Sequence, residues 1–189
     1  MKKMKRLIRG CGVFFLIIII FATIIYFTSS KKELEEMGIG EIKTLLQYKE
    51  AVEKEVSWDT FKKYTSLKFL YELRKMDSSN PDIYIEKLEN YKSNINKLTS
   101  LVIRLKSKID NEEIKKLNDL FEKYFRITYK FSEDFINYIE NITSSMMTYY
   151  RKKLDKTSDE MVSMLDKIKD RYKYIIESQN ETDILEILK

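Results

Sequence analysis

The sequence predicts an all-α protein in which one N-terminal transmembrane helix precedes an elongated antiparallel (up-down) helical bundle with coiled-coil-like seams. Three observations lead to this fold class. The chain of 189 residues has only four Gly and one Pro, while 34% of its residues are charged, a composition typical of long helices. Apolar residues recur at alternating steps of three and four along most of the chain, which is the spacing of one helix face. A long uncharged stretch lies near the N-terminus.

The N-terminal stretch reads GCGVFFLIIIIFATIIYFT and occupies residues 10–28. At about 1.5 Å per residue, a helix of this length spans roughly the 30 Å hydrocarbon core of a bilayer. Five basic residues precede it: Lys2, Lys3, Lys5, Arg6 and Arg9. A basic flank stays in the cytoplasm during insertion, so the pattern predicts a single-pass cell-membrane protein whose N-terminus is cytoplasmic and whose bulk is extracytoplasmic.

Four segments follow from this interpretation. They are a short basic cytoplasmic tail at residues 1–9, a transmembrane signal anchor at 10–28, a juxtamembrane hinge at 29–40 and an extracytoplasmic helical bundle at 41–189. The alternative is a signal peptide cut near Thr28-Ser29-Ser30, which would release a secreted protein. In both cases the bundle lies outside the cytoplasm.

The distribution of charge argues against a nucleic-acid partner. The five basic residues of the tail account for the whole net charge of +5, because the remaining 30 Lys and Arg are balanced by 30 Asp and Glu. A surface that binds nucleic acid needs a local excess of cations to contact phosphates. We therefore expect the membrane and proteins, not nucleic acid, as partners.

The composition also argues against several kinds of catalytic and metal-binding site. The chain has no His and one Cys, which removes the usual zinc ligands and the His base of most catalytic triads. The glycine-rich motifs that hold phosphates or present a nucleophile do not occur. The lone Cys11 cannot form an intramolecular disulfide. We expect no enzymatic activity, no cofactor and no metal site.

Helical spacing begins after the hinge, whose Gly38 and Gly40 weaken a continuous helix. The segment from Glu41 forms one helix, or two if Ser57-Trp58-Asp59 interrupts it. The residues DSSNP at 77–81 end this part, with Asn80 as the cap and Pro81 as the first residue of the next helix.

Three further seams are expected, each opened by a helix-start signal. The first follows Pro81, the second follows a capping box at Asp110–Glu113, and the third follows a capping box at Thr157–Glu160. Their apolar positions are Tyr84, Leu88, Tyr91, Ile95, Leu98, Val102, Leu105 and Ile109; then Ile114, Leu117, Phe121, Tyr124, Thr128, Phe131, Phe135, Tyr138 and Ile142; then Met161, Leu165, Ile168, Tyr172 and Ile175. The short connections between helices predict antiparallel neighbours.

Two groups of residues are candidates for partner binding. On the helix that follows Asp110, Phe125, Tyr129 and Ile136 widen the apolar face beyond what a surface helix needs. This helix is therefore either central and packed on two sides, or it exposes an aromatic ledge. The C-terminal residues Ile184, Leu185, Ile187 and Leu188 either close the bundle or form a docking peptide.

These features favour a membrane-anchored, extracytoplasmic helical-bundle interaction or scaffold protein, an accessory subunit of an envelope complex. Its mechanism would be tethering, because an anchor raises the effective concentration of the bundle near its partners. The first alternative is a ligand-binding sensory bundle that acts through a partner. The second is a homotypic coiled-coil assembly protein in which the seam of residues 84–109 pairs between chains.

Overall fold

A computed structural model of the chain describes residues 34–74 and 81–179. These residues form six helices and no β-strand: α1 (Leu45–Glu53), α2 (Trp58–Tyr64), α3 (Leu67–Arg74), α4 (Pro81–Leu105), α5 (Glu112–Glu140) and α6 (Met147–Gln179). The all-α helical bundle is as expected. Among the described helices, none combines the length and the apolar character that a bilayer span requires. The predicted anchor at 10–28 and tail at 1–9 lie outside the described residues.

The chain divides into two compact units, residues 1–40 and 41–189. In the described part of the first unit, a helical turn at residues 34–36 ends in a Schellman motif, in which the Ile39 N–H donates to the Leu34 carbonyl oxygen over 2.8 Å and the Gly38 N–H to that of Glu35 over 2.9 Å. Gly38 has a φ of 68°, which glycine adopts without steric cost. The glycine therefore ends this helical turn.

The first part of the second unit is broken into three short helices, where one or two were expected. Thr44 and Gln47 form a capping box at the start of α1. The expected interruption occurs at Ser57, whose hydroxyl oxygen accepts a hydrogen bond from the Thr60 N–H and caps α2. A second break was not expected: the Ser66 hydroxyl oxygen accepts from the Phe69 N–H over 3.1 Å and opens α3. Local side-chain bonds of this kind compete with helix continuation.

Helix α4 begins at Pro81, as the sequence predicts, whereas Asn80 lies outside the described residues. The seam is confirmed along α4, where its buried members are Leu88, Ile95, Leu98, Val102 and Leu105. Ile109 lies beyond the end of the helix and forms an isolated parallel bridge with Ile42. The seam is thus covered by other helices of the same chain.

Helix α5 begins one residue later than the predicted capping box requires. Asn111 is the N-cap, and its side-chain oxygen accepts hydrogen bonds from the Glu113 and Ile114 N–H groups. The assignment of the cap to Asp110 is wrong, because the Asp110 N–H instead donates to the Ile42 carbonyl oxygen over 3.0 Å. That bond commits the backbone of Asp110 to the bridge.

The boundary between α5 and α6 lies at residues 141–146, so the predicted helix start at Thr157–Glu160 is wrong. Thr157 lies inside α6, where its hydroxyl donates to the Lys153 carbonyl oxygen over 2.9 Å. The true break contains Asn, Ser and Thr, which favour caps and turns. In it, the Ser144 hydroxyl donates to the Asn141 carbonyl oxygen over 2.9 Å, and Asn141 is the C-cap of α5.

Helices α4 and α5 are antiparallel neighbours, as the short connection predicts. Near one end, the Asn118 amide donates to the Val102 carbonyl oxygen over 2.9 Å. Near the other end, Lys92 lies 4.0 Å from Glu133. Residue numbers therefore fall along α4 as they rise along α5.

Helices α5 and α6 are antiparallel as well. The rings of Phe121 and Tyr172 lie 6.3 Å apart, and farther along α5 the Asp134 carboxylate lies 3.2 Å from the Lys153 ammonium. Helix α5 makes extensive backbone contact with both α4 and α6, whereas α4 and α6 approach one another little. Helix α5 therefore lies between them.

The three short helices take the place of a fourth bundle member. Asn94 on α4 donates to the Tyr64 hydroxyl oxygen on α2 over 2.9 Å, and the rings of Phe69 on α3 and Tyr91 on α4 lie 5.3 Å apart. Helix α3 also contacts α6. Because α1–α3 and α5 both lie between α4 and α6, those two helices occupy opposite corners of the bundle.

Candidate functional site

The interior of the bundle is built around Phe121 of α5. Its ring centroid lies 6.2 Å from that of Tyr48, 4.9 Å from that of Phe61 and 6.3 Å from that of Tyr172. Edge-to-face and offset contacts at these distances are favourable beyond simple burial. The aromatic residues thus join α1, α2 and α6 to α5.

The structure places the predicted aromatic ledge mostly in the interior. Phe125 has no exposed surface and packs against Phe61 at 5.5 Å, and Ile136 is also buried. Tyr129 is half-buried, with the Lys92 ammonium 5.2 Å from its ring centroid. Of the two interpretations of this wide face, the central helix packed on two sides agrees with the structure.

The other predicted partner-binding residues, Ile184, Leu185, Ile187 and Leu188, lie outside the described residues. Within the described ranges, no group of three or more His, Cys, Asp or Glu side chains is arranged to hold a metal ion.

Two polar groups inside the bundle were not recognised from the sequence. Asn118 is fully buried; its oxygen accepts from the Tyr48 hydroxyl over 2.9 Å while its amide donates to the Val102 carbonyl oxygen. A polar residue at a position next to a seam residue gives no signal in the apolar pattern. The residue is recognisable only once its partners on α1 and α4 are known.

The second group joins α5 to α6 near their common connection. Asp134 is buried, and its carboxylate accepts hydrogen bonds from the Lys153 ammonium over 3.2 Å and the Thr157 hydroxyl over 3.3 Å. The bond to Asp134 raises the pKa of Lys153 above its ordinary value. This arrangement holds two helices together through a paired charge.

Three buried tyrosines are held in their neutral form. Burial raises the pKa of Tyr48, Tyr124 and Tyr172 above the usual value near 10, because a phenolate is poorly solvated in the interior. These groups are part of the core and stay protonated at neutral pH.

Six apolar side chains lie where α4 begins, α5 ends and α6 begins. We call this group the end patch, and it consists of Ile83, Tyr84, Tyr138, Ile142, Met146 and Tyr149. Antiparallel packing brings these helix ends together at one end of the bundle. Ile83, Met146 and Tyr149 are 46–51% exposed, and the other three are half-buried.

Two rings of the end patch are covered on one face by cations. The Lys87 ammonium lies 5.7 Å from the Tyr84 ring centroid, and that of Lys153 lies 5.5 Å from the Tyr149 ring centroid. The Tyr149 ring also packs edge-on against Tyr150 at 5.3 Å. A cation over the ring face and an edge-on aromatic neighbour are favourable contacts for such partly exposed rings.

The sequence contains a signal for the end patch that the expected helix boundaries obscure. When the helix boundary is placed at Thr157, residues 141–156 fall inside a predicted helix. The pattern then does not indicate that Met146 and Tyr149 lie at the start of one. The run Asn-Ile-Thr-Ser-Ser at 141–145 is the signal, since such clusters between two periodic segments mark loops.

Comparison with known proteins adds no family to this description. No family model, no curated protein and no solved structure matches the chain. The geometry alone carries the functional argument.

Proposed function

We propose that this protein is a membrane-anchored, extracytoplasmic helical-bundle interaction protein, which serves as a scaffold or accessory subunit of an envelope complex. The anchor is the apolar segment 10–28, and the bundle of residues 41–189 supplies the contact surface. The observation that carries the proposal is the end patch.

The composition of the end patch supports contact with a protein. Tyr and Met are enriched at the centres of protein interfaces, and the patch combines three Tyr and one Met side chain with two Ile. Single exposed apolar residues are common on monomeric proteins, whereas a group of them marks an interaction surface. Ile83, Met146 and Tyr149 are all exposed. They come from the start of α4, the turn before α6 and the start of α6.

The position of the end patch also suits a tethered scaffold. The chain enters the bundle at Glu41, beside the connection between α4 and α5, since Ile42 bridges to Ile109 there. The end patch lies at the other end of the same helices. The end patch is thus separated, along the bundle, from Glu41, where the second unit begins.

Photo-crosslinking in the native cell tests the proposal. A photoreactive amino acid replaces Tyr149, and in a matched control it replaces Tyr174, which has nearly the same exposure, 52% against 51%, but lies near the C-terminal end of α6. We expect a discrete protein adduct from position 149 and a much weaker one from position 174. Equal adducts, or none at either position, would contradict an interaction surface at the end patch.

The location of the bundle is tested separately. The chain's single cysteine is Cys11, so a Cys11→Ser variant carrying Ser163→Cys has one thiol on the exposed face of α6. A membrane-impermeant maleimide should label this thiol in cells whose plasma membrane is intact. Labelling that occurs only after lysis would place the bundle in the cytoplasm and overturn the proposed topology.

A further inference from the structure

Unpaired charges of opposite sign flank the end patch. Asp82 and Glu86 lie at the start of α4, and Arg151 and Lys152 lie near the start of α6. All four side chains are exposed. Among the described residues none of the four forms an ion pair, in contrast to Lys153 beside them, which pairs with Asp134.

The basic pair has no described ion-pair partner on its own helix. Arg151 and Lys152 follow directly after the first turn of α6, beyond the part of the helix where the macrodipole acts. Both cations are therefore available to acidic groups that approach from outside the bundle.

The two charged pairs lie on opposite sides of the apolar surface. Helices α4 and α6 occupy opposite corners of the bundle, with α5 between them. The end patch thus has a net acidic side at α4, where Asp82 and Glu86 outnumber Lys87. Its apolar middle includes Tyr138 and Ile142 of α5, and its basic side is at α6.

We propose that the occupant of the end patch is a second copy of this chain, bound end to end about a two-fold axis. This inference rests on the proposed function, since it names the partner of the same surface. In a two-fold interface one patch contacts itself, so each residue meets the partner's copy of a different residue. A patch with opposite charges on its two sides is self-complementary under that symmetry.

The electrostatic consequence is specific. In the two-fold arrangement the acidic side of one copy faces the basic side of the other, and the contact occurs twice. The exposed apolar side chains of both copies then meet in the middle, as in interfaces with an apolar core and a charged rim. Charges in such a rim mainly steer association and exclude wrong partners.

Disulfide crosslinking of the full-length chain in its membrane tests the proposal. Two differently tagged Cys11→Ser chains, one carrying Ile83→Cys and the other Met146→Cys, are mixed in one membrane, because these positions lie on opposite sides of the end patch. The matched control replaces Met146→Cys by Tyr174→Cys, which has similar exposure. Mild oxidation should join the first pair of chains, and not the control pair, in a covalent dimer of the same chain. A dimer yield between positions 83 and 146 no higher than between 83 and 174 would overturn the proposal.

Charge reversal then tests the two-fold arrangement. One variant carries Arg151→Glu with Lys152→Glu, and the other carries Asp82→Lys with Glu86→Lys. Introduced into both chains of the 83/146 pair, either variant should lower the dimer yield by roughly tenfold or more, because like charges then face each other twice. With one charge variant on the Ile83→Cys chain and the other on the Met146→Cys chain, the original yield should return.

The mixing step also separates misfolding from lost contact, since recovery shows that both variants fold. Failure of the mixture to recover would overturn the charge-matched two-fold contact. If position 149 yields a heterologous protein adduct while positions 83 and 146 yield no dimer, the further inference fails and the proposed function stands. If neither experiment yields a protein contact, both fail. Lipid adducts alone at position 149 would likewise contradict both and indicate a membrane surface as the occupant.

Discussion

Asn118 shows how one polar side chain can join three helices. It lies in the core of α5, where it contacts Tyr48 of α1 and the last turn of α4. The Val102 carbonyl oxygen also accepts a hydrogen bond from the Lys106 N–H over 3.3 Å, so the 2.9 Å bond from Asn118 is a second one to this oxygen. Asn118 therefore binds the end of α4 and a buried hydroxyl at the same time.

Replacement Asn118→Ala should lower the free energy of unfolding by about 2 kcal/mol or more, because it leaves the Tyr48 hydroxyl buried without its partner. Urea unfolding followed by circular dichroism measures the change. The control is Asn137→Ala, whose amide donates only to the Glu133 carbonyl of its own helix and which should change stability by less than about 0.5 kcal/mol. A similar loss of stability in the two variants would show that the contacts of Asn118 with α1 and α4 do not stabilise the bundle.

The buried tyrosines predict a loss of stability at high pH. The pKa of Tyr172 is raised in the folded state by burial, so above pH 10 the unfolded chain releases a proton that the folded chain retains. Stability is therefore fully present below pH 10 and falls as the pH rises further, by up to about 1.4 kcal/mol per pH unit for one such group.

Tyr172→Phe should remove one such contribution and make the pH dependence above 10 less steep. Unfolding free energies at pH 8 and at pH values above 10 measure the slope. Tyr149→Phe is the control, since that ring is half exposed and its replacement should leave the slope unchanged. A slope in Tyr172→Phe equal to that of the unmodified chain would contradict the assignment.

At the scale of helices, caps decide where the elements begin. The start of α5 depends on Asn111, whose side chain satisfies two N–H groups of the first turn. Asp110, next to it, has an exposed side chain 3.9 Å from Lys43. Two adjacent residues with good capping propensity thus have different roles.

Asn111→Ala should cost about 1 kcal/mol of stability, the usual effect of losing an N-cap. Asp110→Ala should cost clearly less, because an exposed ion pair contributes little. Thermal unfolding of the two variants in parallel makes the comparison. A larger loss of stability in Asp110→Ala than in Asn111→Ala would indicate that Asp110, as the sequence pattern predicts, is the N-cap.

The seam of α4 provides a second test at this scale. Leu98 is 1% exposed, so Leu98→Asp places a charge in the interior and should unfold the bundle, since a buried unpaired charge costs several kcal/mol. Lys97→Asp changes the charge on the exposed side of the same helix turn and should preserve the fold. Circular dichroism reports both outcomes, and an unchanged melting curve for Leu98→Asp would mean that the seam is misplaced.

Helix existence and buried faces were predictable, because periodicity reports directly on which side of a helix is apolar. The buried residues of α4 follow this rule. Boundaries were less predictable: Thr157 has the sequence of a helix start, yet inside α6 its hydroxyl bonds back to Lys153 and across to Asp134. A tertiary contact with a residue distant in sequence cannot be inferred from local capping patterns.

The same reason limits prediction of the candidate site. Tyr138 and Ile142 were expected in a seam, but the helix end at Glu140 places them near the surface. The end patch exists only because three helix ends meet, and their meeting depends on where each helix stops. For Phe125, the sequence predicted the place on an apolar helix face but not the burial. The burial depends on contact with Phe61 of α2, which is distant in sequence.

For the molecule as a whole, the proposed pairing predicts stability that depends on concentration. A dimer that forms only from folded chains raises the unfolding midpoint as protein concentration increases. We expect this rise for the unmodified chain, measured by thermal unfolding over a hundredfold range of concentration at constant detergent. The Arg151→Glu, Lys152→Glu variant should show the same rise only at concentrations roughly tenfold higher or more. A constant midpoint for both chains would argue against the dimer.

The bridge between Ile42 and Ile109 has a mechanical consequence. The Ile42 N–H donates to the Lys108 carbonyl oxygen over 2.8 Å, its carbonyl oxygen accepts from the Asp110 N–H, and its side chain is buried. A pull on the chain at residue 41 is therefore resisted first by these two bonds and one buried side chain. We expect these contacts to break before tension applied at residue 41 reaches α1. The helices of the bundle should therefore stay folded under a load that is too small to break them.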